Sequence, residues 1–237
     1  MVGHSYHVSC WIFNSLAIQL LALKEVRKGL PLRTIIRWSF ERSVGRQNMA
    51  TTLPIDDNGN TIVRIGHSPD PDDAFMFHAM TTNAFPTPGY NFVHELQDIE
   101  TLNHRAMRKE LEVSAVSIHA YPDIAQDYAL MNCGASMGEG YGPMVVAMQG
   151  VSEEDAKSSP IAIPGMKTSA YMGIRLCWGD LEYEVVPFDE IIPRILDGTY
   201  KSGLIIHEGQ LTYVEHDLNV LLDLGVWWNN KTGGLPM

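Results

Sequence analysis

From residue 61 onward, hydrophobic positions along this chain switch repeatedly between the short branched runs of strands and the wider spacing of helices. Thr61-Ile62-Val63-Arg64-Ile65 follows an Asn-Gly turn within Asp56-Asp57-Asn58-Gly59-Asn60 and predicts a first strand. Gly66-His67-Ser68-Pro69-Asp70-Pro71-Asp72-Asp73 then leads into the apolar Ala74-Phe75-Met76-Phe77. Asp70 suits an N-cap, Pro71 the first helical position, and Asp72 with Asp73 complement the positive helix end, so strand, loop and helix follow one another. The same reasoning predicts strands at 90–96, 113–118, 144–148, 161–163, 185–188 and 203–207. Helices are predicted at 99–110, 121–128, 168–178 and 189–197, with Pro193 either kinking the last or marking its first turn. Residues 151–159 read as a polar surface excursion. Strands alternating with helices imply a largely parallel sheet and the α/β class.

Composition sharpens this picture. With 237 residues, 45% hydrophobic and 19% charged, the chain can bury a sizeable core and divide into two lobes. A formal charge of -11, from 17 basic and 28 acidic residues, disfavours nucleic acid and anionic membrane as partners, because no net positive field exists to release counterions. An anionic ligand therefore needs a local pocket of donors. Cys10, Cys133 and Cys177 are widely spaced and odd in number, so they encode neither a disulfide framework nor a zinc cage, and a reducing, cytoplasmic compartment fits best. The charge is uneven: residues 1–48 hold seven basic side chains against Glu25 and Glu41, a net of +5 that leaves -16 for the remainder. The apolar stretch 8–23 is interrupted and short of the roughly 20 residues a membrane span needs, and the basic residues follow it rather than precede it, unlike a secretory signal. Residues 1–60 are accordingly read as an extension outside the fold, with Met49 as a natural start.

Three polar groups sit where chemistry is expected. His207 ends the apolar run Gly203-Leu204-Ile205-Ile206 before Glu208-Gly209-Gln210, which places it at the carboxyl edge of a strand, where open α/β folds keep their ligands, and histidine moves protons near neutral pH. Thr168-Ser169-Ala170 opens a helix, where free N–H groups and two hydroxyls can hold a carboxylate or phosphate. Ser117 ends the strand Val113-Ser114-Ala115-Val116. Other patterns fail their tests. The Asp70, Asp72, Asp73 cluster lacks the glycine and distal glutamate of a calcium loop and is explained by helix capping. His207-Glu208 is not the start of a zinc-protease motif, since the fifth position is Leu211. Gly134, Gly138, Gly140 and Gly142 lead into a strand rather than a helix, so they do not form a dinucleotide loop; backbone mobility or close approach to a ligand is their simpler use.

Seven segments in order resemble the 1,4-dihydroxy-6-naphthoate synthase family of the futalosine route to menaquinone. They are Ile65-Gly66-His67-Ser68-Pro69-Asp70-Pro71-Asp72-Asp73-Ala74-Phe75, Leu96-Gln97-Asp98-Ile99-Glu100-Thr101-Leu102-Asn103, Val116-Ser117-Ile118-His119-Ala120-Tyr121, Tyr141-Gly142-Pro143, Pro164-Gly165 with Thr168-Ser169-Ala170-Tyr171, Gly203-Leu204-Ile205-Ile206-His207-Glu208, and Asp223-Leu224-Gly225 with Trp227-Trp228. The resemblance spans about residues 61–237. It implies a two-lobed, type II periplasmic-binding-protein-like fold, with lobe one at 61–142, lobe two at 143–222 and a shortened return to lobe one at 223–237, incomplete at the C-terminus and leaving apolar surface exposed. It also implies a carbon–carbon lyase that cleaves cyclic dehypoxanthine futalosine, a small anionic substrate, without metal or organic cofactor. In the resemblance His207 matches the general base, while Ala115, Val116, Ser117, Ser169 and Ala170 match the substrate contacts. Ser68-Pro69-Asp70-Pro71-Asp72-Asp73 departs from the family's more common SPCPND. Two alternatives share the fold: a solute-binding protein of an uptake system, which needs no proton acceptor in its cleft, and the chorismate dehydratase of the same pathway, which lacks the GLIIHE motif.

Overall fold

The branched and apolar runs read from the sequence pair into two five-stranded sheets. A computed structural model describes residues 18–23, 53–206 and 209–237. The first half comprises β1 (Ile18–Leu23), β2 (Thr61–His67), α1 (Pro71–Thr81), β3 (Tyr90–Leu96), α2 (Ile99–Met107), β4 (Val113–Ser117), α3 (Tyr121–Ile124) and β5 (Tyr128–Ser136). The second comprises β6 (Met144–Ala147), α4 (Glu153–Lys157), β7 (Ile161–Ile163), α5 (Ser169–Trp178), β8 (Tyr183–Val185), α6 (Ile191–Leu196), β9 (Ser202–Ile205), α7 (Gly209–Thr212), β10 (Asn219–Asp223) and α8 (Leu224–Thr232).

The first sheet runs β3-β2-β4-β1-β5 and the second β10-β6-β9-β7-β8. β2 is parallel to β3 and β4, and β7 is parallel to β8 and β9. β1, β6 and β10 run antiparallel to their neighbours. The inner strands β7 and β9 are buried along their whole length, on both faces, whereas the edge strands β3 and β8 are not. Ile161 and Ile163 of β7 join Leu204 and Ile206 under Ala170, Tyr171 and Ile174 of α5, whereas Ala162 and Ile205 turn to the other side, against Ile191, Ile192 and Ile195 of α6. In the first sheet, Ala115 packs with Ile99, Leu102 and Leu111, while its neighbour Val116 packs with Ala106, Ile124 and Tyr128.

Several elements differ from the sequence expectation. Ile18–Leu23, inside the segment read as an extension, is a strand paired with both β4 and β5; five of its six residues are apolar, Gln19 being the exception, which suits a position bonded on both sides. The helix expected at 121–128 ends at Ile124, and Tyr128 opens β5 instead, where its hydroxyl donates to the Leu111 carbonyl. Residues 151–159 contain α4, closed by a capping box between Ser152 and Asp155. Pro193 lies in the first turn of α6, the second of the two placements expected, where proline is tolerated. Residues 223–237, read as a shortened return to the first lobe, pack through Leu224, Trp227 and Met237 on the α5 side of the second sheet, while the Met237 main chain also pairs with that of Gly138. Gly142 and Gly225 are needed there, since a side chain on Gly225 would overlap the Tyr141 backbone. Among the described residues no helix is long and apolar enough to cross a membrane.

Candidate active site

Ser117 and the start of α5 are brought together from opposite halves of the molecule. Ser117 closes β4 and is buried; its N–H donates to Asn103 Oδ1 at 2.8 Å, and its Oγ accepts from Asn103 Nδ2 at 3.2 Å. Thr168 caps α5, its Oγ1 accepting from Tyr171 N–H at 3.1 Å and donating to the Gly165 carbonyl at 2.8 Å. That capping leaves the N–H groups of Ser169 and Ala170, the first two of the helix, outside the intrahelical ladder. Ser169 Oγ is buried and has no hydrogen-bond partner. A sealed hydroxyl without a protein partner is costly in a folded protein, and an ordered water or a ligand acceptor is the ordinary remedy.

The two edges face each other through direct contacts. His119, just beyond Ser117, has Nδ1 3.1 Å from the Thr168 carbonyl. Lys167 N–H donates to Glu100 at 3.1 and 3.2 Å from its two carboxylate oxygens, and Lys167 Nζ lies 2.7 Å from Asp123 Oδ2. Hydrogen bonding to the Lys167 ammonium holds the Asp123 carboxyl below its ordinary range.

The remaining residues implied by the resemblance fall differently. Ala115, Val116 and Ala170 are fully buried, each in a different apolar cluster, so their side chains are core, and Ala115 and Val116 stand opposite Leu20 and Gln19 in the sheet. His207 and Glu208 lie outside the described residues; β9, which precedes them, is buried throughout, and Ile206 packs in the core. The residues that sequence reasoning missed are Glu100 and Asn103. Their signal is two polar side chains three apart on the face of α2 that also buries Ile99, Leu102 and Ala106.

The first turn of α1, just after β2, supplies a further polar group at the same edge. Asp73 is fully buried; its Oδ2 accepts from Ser68 N–H at 2.6 Å, and its Oδ1 has no partner. Burial pushes its carboxyl up to about 6, with the Asp72 and Asp70 charges adding to the rise and the Ser68 N–H opposing it. Asp72 in turn accepts from Ser136 Oγ at 2.7 Å, and Ser68 Oγ donates to Asp70 at 2.8 Å. Among the described residues no His, Cys, Asp and Glu are grouped as a metal would require.

Comparison with known proteins adds lineage to this geometry. A family model described as menaquinone biosynthesis matches residues 63–237. A curated 1,4-dihydroxy-6-naphthoate synthase of Streptomyces coelicolor is 35% identical over 182 residues, covering 74% of this chain and 63% of its own length. The chain thus spans less than two thirds of that relative. The crystal structure of a protein from Archaeoglobus fulgidus superposes with a TM-score of 0.69 at 44% identity, covering 74% of this chain and 65% of that one. The alkanesulfonate-binding protein SsuA of Xanthomonas axonopodis, bound to MOPS, superposes at 0.52 with 12% identity over 68% of this chain and 60% of that one, which shows the periplasmic-binding-protein-like fold alone.

Proposed function

This chain belongs to the menaquinone-biosynthesis family, and from that membership we propose that it carries out the reaction for which its synthase relatives are named, forming 1,4-dihydroxy-6-naphthoate from cyclic dehypoxanthine futalosine. The observation that carries the reading is Ser169 Oγ, sealed from water without a partner at the positive end of α5 and held opposite Ser117 by contacts across the two sheets. An anionic, bicyclic substrate would present its acidic group to the N–H groups of Ser169 and Ala170 and to the Ser169 hydroxyl. Ser117 would face the other end of the ligand, with the main chain of Ala115 and Val116 beside it.

In this proposal His207 is the general base. It accepts the proton of a sugar-derived hydroxyl; the O–H electron pair becomes a carbonyl bond, the adjacent carbon–carbon bond breaks, and its electrons pass into the electron-poor ring system. General-base assistance of this kind supplies about 10²–10⁴-fold, and donors already in place for the developing negative charge supply the rest. The reading needs no nucleic acid or membrane. The cytoplasmic location is likewise proposed, on the sequence argument from the cysteines; the thiols of Cys133 and Cys177 are free.

The test is to incubate the protein with cyclic dehypoxanthine futalosine and follow the naphthoate by its absorbance, with His207→Ala alongside. Conversion by the parent and a loss of about 10²-fold or more in the variant support the reading. Saturable binding of the compound by both proteins, without conversion by either, would replace it with the solute receptor of the same fold.

A further inference from the structure

We infer that Glu100 is a positioning residue that clasps the two halves of the site together. The contacts are independent of function; only their consequence for substrate rests on the proposal above. Glu100 is the second residue of α2 and is 9% exposed. Its only basic neighbour at ion-pair distance among the described residues is the imidazole of His104, 3.4 Å away and half exposed, so the buried carboxylate depends on hydrogen-bond donors. Two supply it: Asn103 Nδ2 at 3.3 Å from its own helix, and Lys167 N–H from the other half. The approach is close: a Cβ on Gly165 would fall 2.3–2.5 Å from the end of the Glu100 side chain, which would have to shift away to admit it.

Asn103 extends this grip to the far side of the cleft. Its side chain is fully buried and bonded at both ends: Oδ1 takes the Ser117 N–H, and Nδ2 is shared between Ser117 Oγ and Glu100. A continuous line therefore runs from Ser117 through Asn103 and Glu100 to the Lys167 main chain, one residue before the Thr168 cap of α5. Of the other cross-half ties, the His119–Thr168 contact is part-buried and the ion pair lies at the rim. Lys167 and Asp123 pair at 2.7 Å with side chains 33% and 50% exposed, and exposed pairs contribute little. Parting the two edges would strip a buried carboxylate of its cross-half donor, so the carboxylate itself favours the arrangement in which Ser117 and Ser169 face one ligand.

The experiment compares Glu100→Ala, Glu100→Gln and Gly165→Ala with the parent, following amide hydrogen exchange of the segment 163–170 without ligand and, separately, turnover of cyclic dehypoxanthine futalosine. Exchange in the segment should rise 10-fold or more in Glu100→Ala and in Gly165→Ala, which pushes the clasp open from the opposite side. Glu100→Gln, whose amide oxygen still accepts from Lys167 N–H, should restore most of the protection. In turnover, KM should rise about 10-fold in Glu100→Ala with kcat held within a few-fold, because Glu100 touches no reacting atom. Unchanged exchange in a folded Glu100→Ala overturns the clasp, and should that variant not fold, unchanged exchange in Gly165→Ala does so. A loss confined to kcat also overturns it. If the parent converts none of the compound, the proposed reaction fails while the exchange data still judge the clasp.

Discussion

The hydroxyl of Ser169 is buried with no partner, which makes it a cost in the free protein and an asset with ligand bound. Ser169→Ala should therefore move two measurements in opposite directions. Stability in urea should hold or rise by about 1 kcal/mol, because a desolvated group is removed, while affinity for the futalosine compound should fall by about 1 kcal/mol or more. Loss of both together would mean that the hydroxyl is a structural prop. Asp73 carries a second test. Its carboxyl titrates near 6 when folded against an ordinary 3.8, so between those values the folded state binds the extra proton. Stability from this group is therefore greatest at low pH and declines as pH rises from about 4 to 6, by up to about 3 kcal/mol. Asp73→Asn keeps an acceptor for Ser68 N–H and should abolish that decline in urea midpoints taken across the range. At this scale the sequence made Ser117 and Ser169 legible, because a strand end and a helix start are local patterns. Glu100 and Asn103 stayed hidden, since what distinguishes them is a partner 67 residues away for one and 14 for the other.

Pairs of elements carry properties that neither member shows alone. His67 at the end of β2 and His94 on the parallel β3 meet with Nε2 and Nδ1 3.0 Å apart, and Phe77 of α1 stacks on His67 at 4.1 Å. His67 Nδ1 lies 3.0 Å from the Ser68 carbonyl, which assigns the proton to Nδ1 and leaves Nε2 to accept from His94 Nδ1–H. Burial lowers both imidazoles below their ordinary 6.5, so on acidification the unfolded chain takes up protons that the folded one refuses. The contribution of this pair is complete above 6.5 and is lost as pH falls below it, opposite in sign to Asp73. Replacing both histidines by Phe removes donor and acceptor together, and should flatten the acid limb of a pH–stability curve measured in an Asp73→Asn background. Strands such as β2, β3 and β7 were readable because β-branched runs between turn residues carry their own signal. β5 was not, because Tyr128–Ser136 contains a glycine and is fixed by pairing with a strand more than 100 residues earlier.

Across the whole molecule, the largest disagreement between sequence and structure is the fate of residues 18–23. Charge and composition set 1–48 apart from the acidic remainder and made Met49 look like the beginning of the fold. In the structure, Ile18–Leu23 stands between β4 and β5 with Ile18 opposite Ser117, so it abuts the strand end on which the candidate site is built. The local pattern could not reveal this, since a six-residue run with five apolar positions fits an isolated segment as well as a central strand until its neighbours are known. A variant beginning at Met49 separates the two accounts. If β1 is integral, its removal leaves two facing rows of unpaired N–H and C=O groups in the middle of a sheet, each lost backbone bond costing about 0.5–1.5 kcal/mol, so that the deficit reaches several kcal/mol. Such edges also recruit other chains. The expected outcome is a lower thermal midpoint, concentration-dependent association in light scattering, and faster amide exchange at 113–117 and 128–136. An unchanged midpoint with a monomeric shortened chain would assign residues 1–48 to an extension, and the slot between β4 and β5 would then belong to some other strand.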